Sequence, residues 1–247
     1  MHRVLIPIDS QDPLSWSYAQ AYAEKIIEAH RKQMNVVLLV HTKNQISSTS
    51  LSSHIGSSRA KVLSKGDPLV LPSGAQLQLM TLKTLGYSLR DTIIIAFYAD
   101  EKMLQLVDDH KELAGVVVVP DQPGDANQWV ARWGATIHGQ APKPANKLIA
   151  DPIVENALLT ITMLINLSTG LGNPRDKSSA NEILRILKTK GHALSPEIVR
   201  SWAIQNGWRS DGADDLAKLA RKIWALKNKP SLSKIYNWKE RYASWAK

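Results

Sequence analysis

The chain has no cysteine among its 247 residues. Disulfides, thiolate nucleophiles and cysteine-ligated zinc are thereby excluded, and the composition fits a reducing compartment. Long hydrophobic runs are lacking too. The most apolar stretch, Ile153 to Leu167, is interrupted by Glu155, Asn156 and Asn166. It falls short of the roughly 18–20 residues of a membrane span, so a buried helix and no membrane partner are expected. Met1-His2-Arg3 is followed only by Val4 to Ile8 before Asp9, whereas a secretory core needs about 7–15 apolar residues. Together these absences predict a soluble cytoplasmic protein. Catalytic signatures are missing as well. There is no Walker loop, no Gly-x-Ser-x-Gly elbow and no Gly-x-Gly-x-x-Gly, and the seven histidines show no metal-ligand spacing. No catalytic residue or cofactor is assigned, no metal is expected, and binding is favoured over catalysis.

What is present divides into two halves. The apolar content of 44% suffices for one large domain or two modest ones. The net charge of +9 is unevenly placed. Residues 1–140 carry 13 Lys/Arg and 13 Asp/Glu, whereas residues 141–247 carry 18 and 9. Charge of one sign on one half bears on partners, not on fold.

The first half reads as alternating strands and helices. Val4 to Ile8 is a buried strand, with Pro7 a weak point because proline donates no ladder hydrogen bond. Pro13 to about Lys32 is a helix, proline suiting its first turn and Trp16, Ala19, Tyr22, Ala23, Ile26 and Ile27 forming its apolar stripe. Asn35 to Val40 is the next strand, parallel to the first in a βαβ unit. The serine-rich residues 44–74 include a short helix near Ser57 to Leu63, and Ala75 to Leu82 is an edge strand. Thr92 to Phe97 and Gly115 to Pro120 are strands separated by a helix over Asp100 to His110. A short helix near Ala126 to Arg132 places Trp129 and Trp133 on one side.

Gly139 to Lys147, with two prolines and two lysines, reads as a linker. Beyond it the apolar period is helical. Asp151-Pro152 starts a helix to about Leu167, expected at the centre of its domain. Helices over 179–190, 196–206 and 211–227 follow, the second burying Ile198, Val199 and Trp202. A last helix carries Tyr236, Trp238, Tyr242 and Trp245. The expectation is a Rossmann-like, doubly wound parallel α/β domain over residues 1–140, a linker over 141–150, and a basic, tryptophan-rich all-helical domain over 151–247.

The run Val4-Leu5-Ile6-Pro7-Ile8-Asp9-Ser10, followed by a helix, resembles the first strand and loop of universal stress proteins. The resemblance covers residues 1–42, and 92–120 as pattern. It implies a nucleotide-sheet fold with Asp9 beside the nucleotide in ATP-binding members. Those members carry a glycine-rich phosphate loop after the fourth strand. Here that stretch is Pro120-Asp121-Gln122-Pro123-Gly124-Asp125, with one glycine and two acids, which argues against ATP binding in that manner.

Ligands in open parallel sheets bind beyond the carboxyl ends of strands, where strand order reverses. The strand ends offer Asp9, Ser10, His41, Tyr98, Asp100 and Asp121 as ligand-binding candidates. With the order 3-2-1-4-5, the crevice lies between Asp9 and the Tyr98 to Asp100 loop. His41 is a candidate base, since histidine titrates near neutrality. Asp108-Asp109-His110 reads as a solvated helix end, and Gly170 to Arg175 as a helix-terminating turn with a lesser anion-binding reading.

The three basic helices are compatible with a helix-turn-helix. On that reading Arg200, Ser201 and Gln205 face a groove, and Lys218, Arg221, Lys222, Lys227 and Lys229 hold phosphates, with Asp214 offsetting Lys218. The tryptophans are expected in the core. The leading expectation is a non-catalytic binding or regulatory protein whose basic helical domain, residues 151–247, contacts a macromolecular partner, nucleic acid or an acidic protein surface. Nucleic-acid binding and a small-ligand sensor or enzyme at the strand ends are the alternatives.

Overall fold

A computed structural model describes residues 1–32, 34–86, 89–141 and 147–247. Its contacts separate into two compact units, Met1–Asn146 and Lys147–Lys247. Half of the expected linker, residues 142–146, lies outside the described residues. Among the described residues no helix is long and apolar enough to cross a membrane.

The first unit is a mixed α/β fold. Its elements are β1 (His2–Leu5), α1 (Pro13–His30), β2 (Asn35–Val40), α2 (Gln45–Ser48), α3 (Leu51–Ile55), α4 (Ser57–Lys65), β3 (Leu69–Val70) and β4 (Gln76–Thr81). They continue with β5 (Thr92–Ala99), α5 (Glu101–Asp108), β6 (Gly115–Pro120), α6 (Asn127–Trp133) and β7 (Thr136–Ile137). The strands form one sheet in the order β3-β4-β2-β5-β6-β1-β7. Its pairings are parallel apart from the antiparallel β3–β4 pair.

Side chains alternate between the two faces, as the period of two requires. Val36, Leu38, Ile93, Ile95, Phe97 and Val117 pack with Trp16, Ala19 and Ile26 of α1 and Leu51 of α3. Val37, Leu39, Ile94, Ala96, Val116 and Val118 pack with Met103 and Leu104 of α5 and Trp129 of α6. Helices therefore cover both faces.

The strand order departs from the expectation. β1 and β2 are parallel but not neighbours, because β5 and β6 lie between them. Every residue of β5 and β6 is buried, and strands that are apolar on both faces belong at a sheet's centre. β1 begins with an exposed His2 and a half-buried Arg3, so it takes a place nearer the edge, beside the two-residue β7. β1 is also shorter than expected. The Ile6 amide still donates to the Val118 carbonyl at 2.8 Å, but Pro7 has no N–H to continue the ladder.

Asp108 is a second correction. It is buried at the end of α5, not solvated. Its carboxylate accepts from Arg132 Nη1 at 2.5 Å and from the indoles of Trp129 and Trp133 at 3.1 and 2.9 Å. Burial pushes the Asp108 carboxyl up, opposed by the Arg132 guanidinium and the three donors. Arg3 lies over the Trp133 ring at 3.6 Å.

The second unit is helical: α7 (Pro152–Leu164), α8 (Pro174–Lys190), α9 (Pro196–Gln205), α10 (Ser210–Trp224) and α11 (Trp238–Trp245). Asp151, Asn173 and Ser195 cap α7, α8 and α9, each immediately before a proline, as Asp12 does for α1. The cap oxygen accepts from an amide of the first turn, and the proline occupies a position whose N–H would otherwise be orphaned. Ile161, Leu184, Val199, Trp202 and Leu216 are buried. Trp208 and Trp245 are buried as well, their indoles donating to Thr162 and Thr160 at 2.9 and 3.0 Å.

Two burial expectations fail here. Ile198 is 40% exposed. α7 is not enclosed: Val154, Leu158 and Ile161 face inward, whereas Met163 is 86% and Leu164 56% exposed.

His192 ties three parts of this unit together. Its Nδ1–H donates to Asp151 Oδ2 at 2.6 Å, and its Nε2 pairs with the Tyr242 hydroxyl at 3.0 Å. Burial pushes the Asp151 carboxyl up, but the hydrogen bonds from His192, Ile153 and Val154 outweigh this and hold it below its ordinary value. Asp151→Ala is expected to lose about 1–2 kcal/mol in urea unfolding at neutral pH, the range of a lost N-cap. A depressed carboxylate contributes stability above its ordinary pKa, and that contribution disappears as pH falls through the depressed value. The gap between wild type and Asp151→Ala should therefore narrow below about pH 4.

Candidate functional site at the carboxyl edge of the sheet

The connections leaving the carboxyl ends of the strands divide by face. Those after β1 and β2 lead to α1 and to α2–α4 on one face, and those after β5 and β6 lead to α5 and α6 on the other. β1 neighbours β6 and β2 neighbours β5. The edge therefore has two places where adjacent strands send their chains to opposite faces, and a crevice opens at such places.

The first crevice lies between the ends of β1 and β6 and encloses about 360 Å³. Its polar lining comprises Asp9, Ser10, Gln11, Asp121, Gln122 and Asn127, and its apolar wall Leu5, Pro7, Ile8 and Pro120. Asp9 is positioned by its own turn, its Oδ1 accepting from the Gln11 amide at 2.8 Å. The loop after β6 is closed similarly, Asp125 accepting from the Gln122 amide at 3.0 Å. No described lining residue is basic.

The second switch point brings together His41, Tyr98 and Asp100. His41 Nε2 lies 2.9 Å from the Tyr98 carbonyl and 3.8 Å from Asp100 Oδ1. A carbonyl only accepts, so the Nε2–H donates to it. Asp100 also caps α5, accepting from the Met103 amide at 2.8 Å. Tyr98 sits at a break in the β5–β6 register with φ +59°, a left-handed conformation that a non-glycine residue adopts only when its surroundings hold it there. The Tyr98 side chain is itself fixed: its ring is buried against Phe97, and its hydroxyl donates to Thr49 at 2.8 Å and lies 3.3 Å from Ser50 Oγ.

The Ser10 carbonyl links the two places. It accepts from His54 Nε2 at 3.2 Å and lies 3.5 Å from Ser50 Oγ. A further hollow of about 440 Å³ beyond β2 and β4 has the opposite charge, with His41, Lys43 and Lys83 in its lining.

The six expected residues all stand at this edge, but in two groups. Asp9, Ser10 and Asp121 share the first crevice, and His41, Tyr98 and Asp100 share the second switch point. The single crevice expected between Asp9 and the Tyr98 to Asp100 loop does not form, because β6 separates β1 from β5. Gln122, Asn127, Thr49 and Ser50 were not foreseen. Ser50 and His54, four apart on one helical face, were the available signal.

In the helical unit three of the expected contact residues are engaged with neighbouring carboxylates. Arg200 is 13% exposed along its side chain and ion-paired to Asp214. Asp214 therefore does not offset Lys218, whose partner is Asp215 at 3.3 Å. Arg221 donates to Glu197 at 2.9 Å and, with the Glu197 amide and Ser195, lowers the Glu197 carboxyl to about 2. Gln205 ends α9 and is half-buried, and Lys222, Lys227 and Lys229 are exposed.

No curated protein and no solved structure matches the chain. The resemblance of residues 4–10 to universal stress proteins gains no support from these comparisons. Residues 150–246, the helical unit, match a family model described as Domain of unknown function (DUF1889).

Proposed function

We propose that the protein is a binding protein whose α/β unit holds a small neutral or cationic ligand, rich in hydroxyl or amino groups, between β1 and β6. One observation carries this reading: the carboxylates of Asp9 and Asp121 and the carboxamides of Gln11, Gln122 and Asn127 line one crevice, without a basic residue among its described lining. Carboxylates accept hydrogen bonds from O–H and N–H groups and attract ammonium groups. They repel phosphate, by about 4 kcal/mol per unit-charge pair 4 Å apart at an effective dielectric of about 20. The apolar wall suits a ring or carbon skeleton, and small-ligand pockets begin at about 300 Å³.

A thermal-shift screen of the full chain tests it, with nucleosides, polyols and polyamines set against nucleoside triphosphates. A ligand at about 100 times its Kd adds about 2.7 kcal/mol to stability. The expected result is a rise in Tm with a member of the first three classes and none with triphosphates, lost in Asp9→Ala and Asp121→Ala. No shift in those classes, or an undiminished shift in both variants, removes the proposal.

A further inference from the structure

The groove between α8 and α10 supports a different inference, independent of the crevice. Lys177 and Arg185 reach it from α8, and Leu219, Lys222 and Ile223 from α10, with Leu226 just beyond the helix end. The open space is about 610 Å³. On α8 the lining spans residues 174–185, about 17 Å at 1.5 Å per residue, the length of roughly three helical turns.

Several cations of the unit are already neutralised. Arg200, Lys218, Arg221 and Arg241 are paired with Asp214, Asp215, Glu197 and Glu182. Among the described residues, Lys177, Arg185 and Lys222 enter no ion pair, and no carboxylate lines the groove. Arg185 makes one long hydrogen bond, 3.5 Å to the Ser231 carbonyl, and its Nε is buried without a partner. The floor is apolar: Ile223 is buried, Leu219 half-buried and Leu226 44% exposed.

We propose that this groove docks an acidic amphipathic helix of a partner protein. Apolar side chains at i, i+3, i+4 and i+7 would lie on Leu219, Ile223 and Leu226, a recurring mode of helix recognition. Carboxylates flanking them would meet Lys177, Arg185 and Lys222, with steering that weakens as salt rises. The leucine and isoleucine floor favours this over nucleic acid, whose phosphodiester backbone has nothing to place there.

The probe is a fluorescent 16-residue peptide with Leu at i, i+3, i+4 and i+7 and Glu elsewhere, titrated into the full chain by anisotropy. Three comparison probes are its Lys-for-Glu counterpart, its Ala-for-Leu counterpart and a duplex DNA. The acidic amphipathic peptide is expected to bind best, with several-fold loss between low and high salt. Lys177→Glu with Lys222→Glu should weaken it at least tenfold, and Leu226→Glu should weaken it as well. Lys229→Glu, outside the groove lining, should leave it unchanged. All four positions are exposed, and unchanged circular dichroism confirms the fold of each variant. Failure of the acidic peptide to bind overturns the proposal, as does equal binding by the Lys177/Lys222 variant. DNA binding that is lost in the groove variants, without binding of the peptide, would assign the groove to nucleic acid instead.

Discussion

Asp108→Ala should lower the unfolding free energy of the α/β unit by about 3–5 kcal/mol, the cost of removing one partner from a buried ion pair. Arg132 would be left with its charge in an interior site, 3% exposed along its side chain. The indoles of Trp129 and Trp133 would lose their acceptor at the same time. A buried donor without an acceptor costs about 1–3 kcal/mol. The comparison with a double replacement separates charge from packing. Asp108→Leu combined with Arg132→Met removes both charges, and exchanges of that kind are often neutral or stabilising. Urea unfolding should therefore show the double variant closer to wild type than Asp108→Ala. A loss below about 1 kcal/mol for Asp108→Ala, within the range of a single ordinary hydrogen bond, would show that the ion pair does not anchor α5 to α6.

Gly170→Ala should destabilise the helical unit by about 2–5 kcal/mol through two effects that act together. Gly170 has φ +54°, a conformation that costs a residue with a Cβ about 1–2 kcal/mol. A Cβ built there would also lie 2.7 Å from the Cα of Gly212 in the first turn of α10. Backbone cannot rotate away as a side chain can, so the segment after α7 must move off α10. Overpacking of this sort costs about 1–3 kcal/mol. A Cβ on Gly212 would meet the Gly170 Cα at 3.2 Å and Trp208 Cε3 at 3.5 Å, so Gly212→Ala should be milder. Far-UV circular dichroism in urea measures both. Equal effects at the two positions would mean that the left-handed backbone of Gly170 contributes nothing. The Gly170 to Arg175 segment thus has a packing role that its sequence did not disclose.

The elements themselves were largely legible. α1, β2, α4, β4, β5, α5, β6 and α6 lie where apolar periodicity and turn residues place them, because those signals report local free energy, but β4 is not the edge strand expected, since β3 pairs beyond it. The cap-and-proline pairs at Asp151-Pro152 and Ser195-Pro196 marked helix starts for the same reason. β7 was not foreseen, since two residues hold no period. The candidate site was legible as a set of strand ends and illegible as a geometry. Asp9 and Asp121 share a crevice only because β1 runs beside β6. Asp108 was misread because its partners lie 21–25 residues away, and sequence shows a carboxylate but not the donors that converge on it. Trp129, Arg132 and Trp133 on one face of α6, each with N–H groups to satisfy, were the signal that an acceptor lay opposite.

By itself, then, the sequence determined an alternating strand and helix pattern followed by helices, and a charge excess confined to residues 141–247. Periodicity and composition are properties of neighbouring residues, so they survive without knowledge of the fold. Only the tertiary structure decided which strands are neighbours, which cations are already neutralised and where two backbones touch. Each of those depends on competition for burial between segments far apart in the chain. β5 and β6 took the centre because both of their faces are apolar, β1 was displaced toward the edge, and the crevice followed it from β5 to β6.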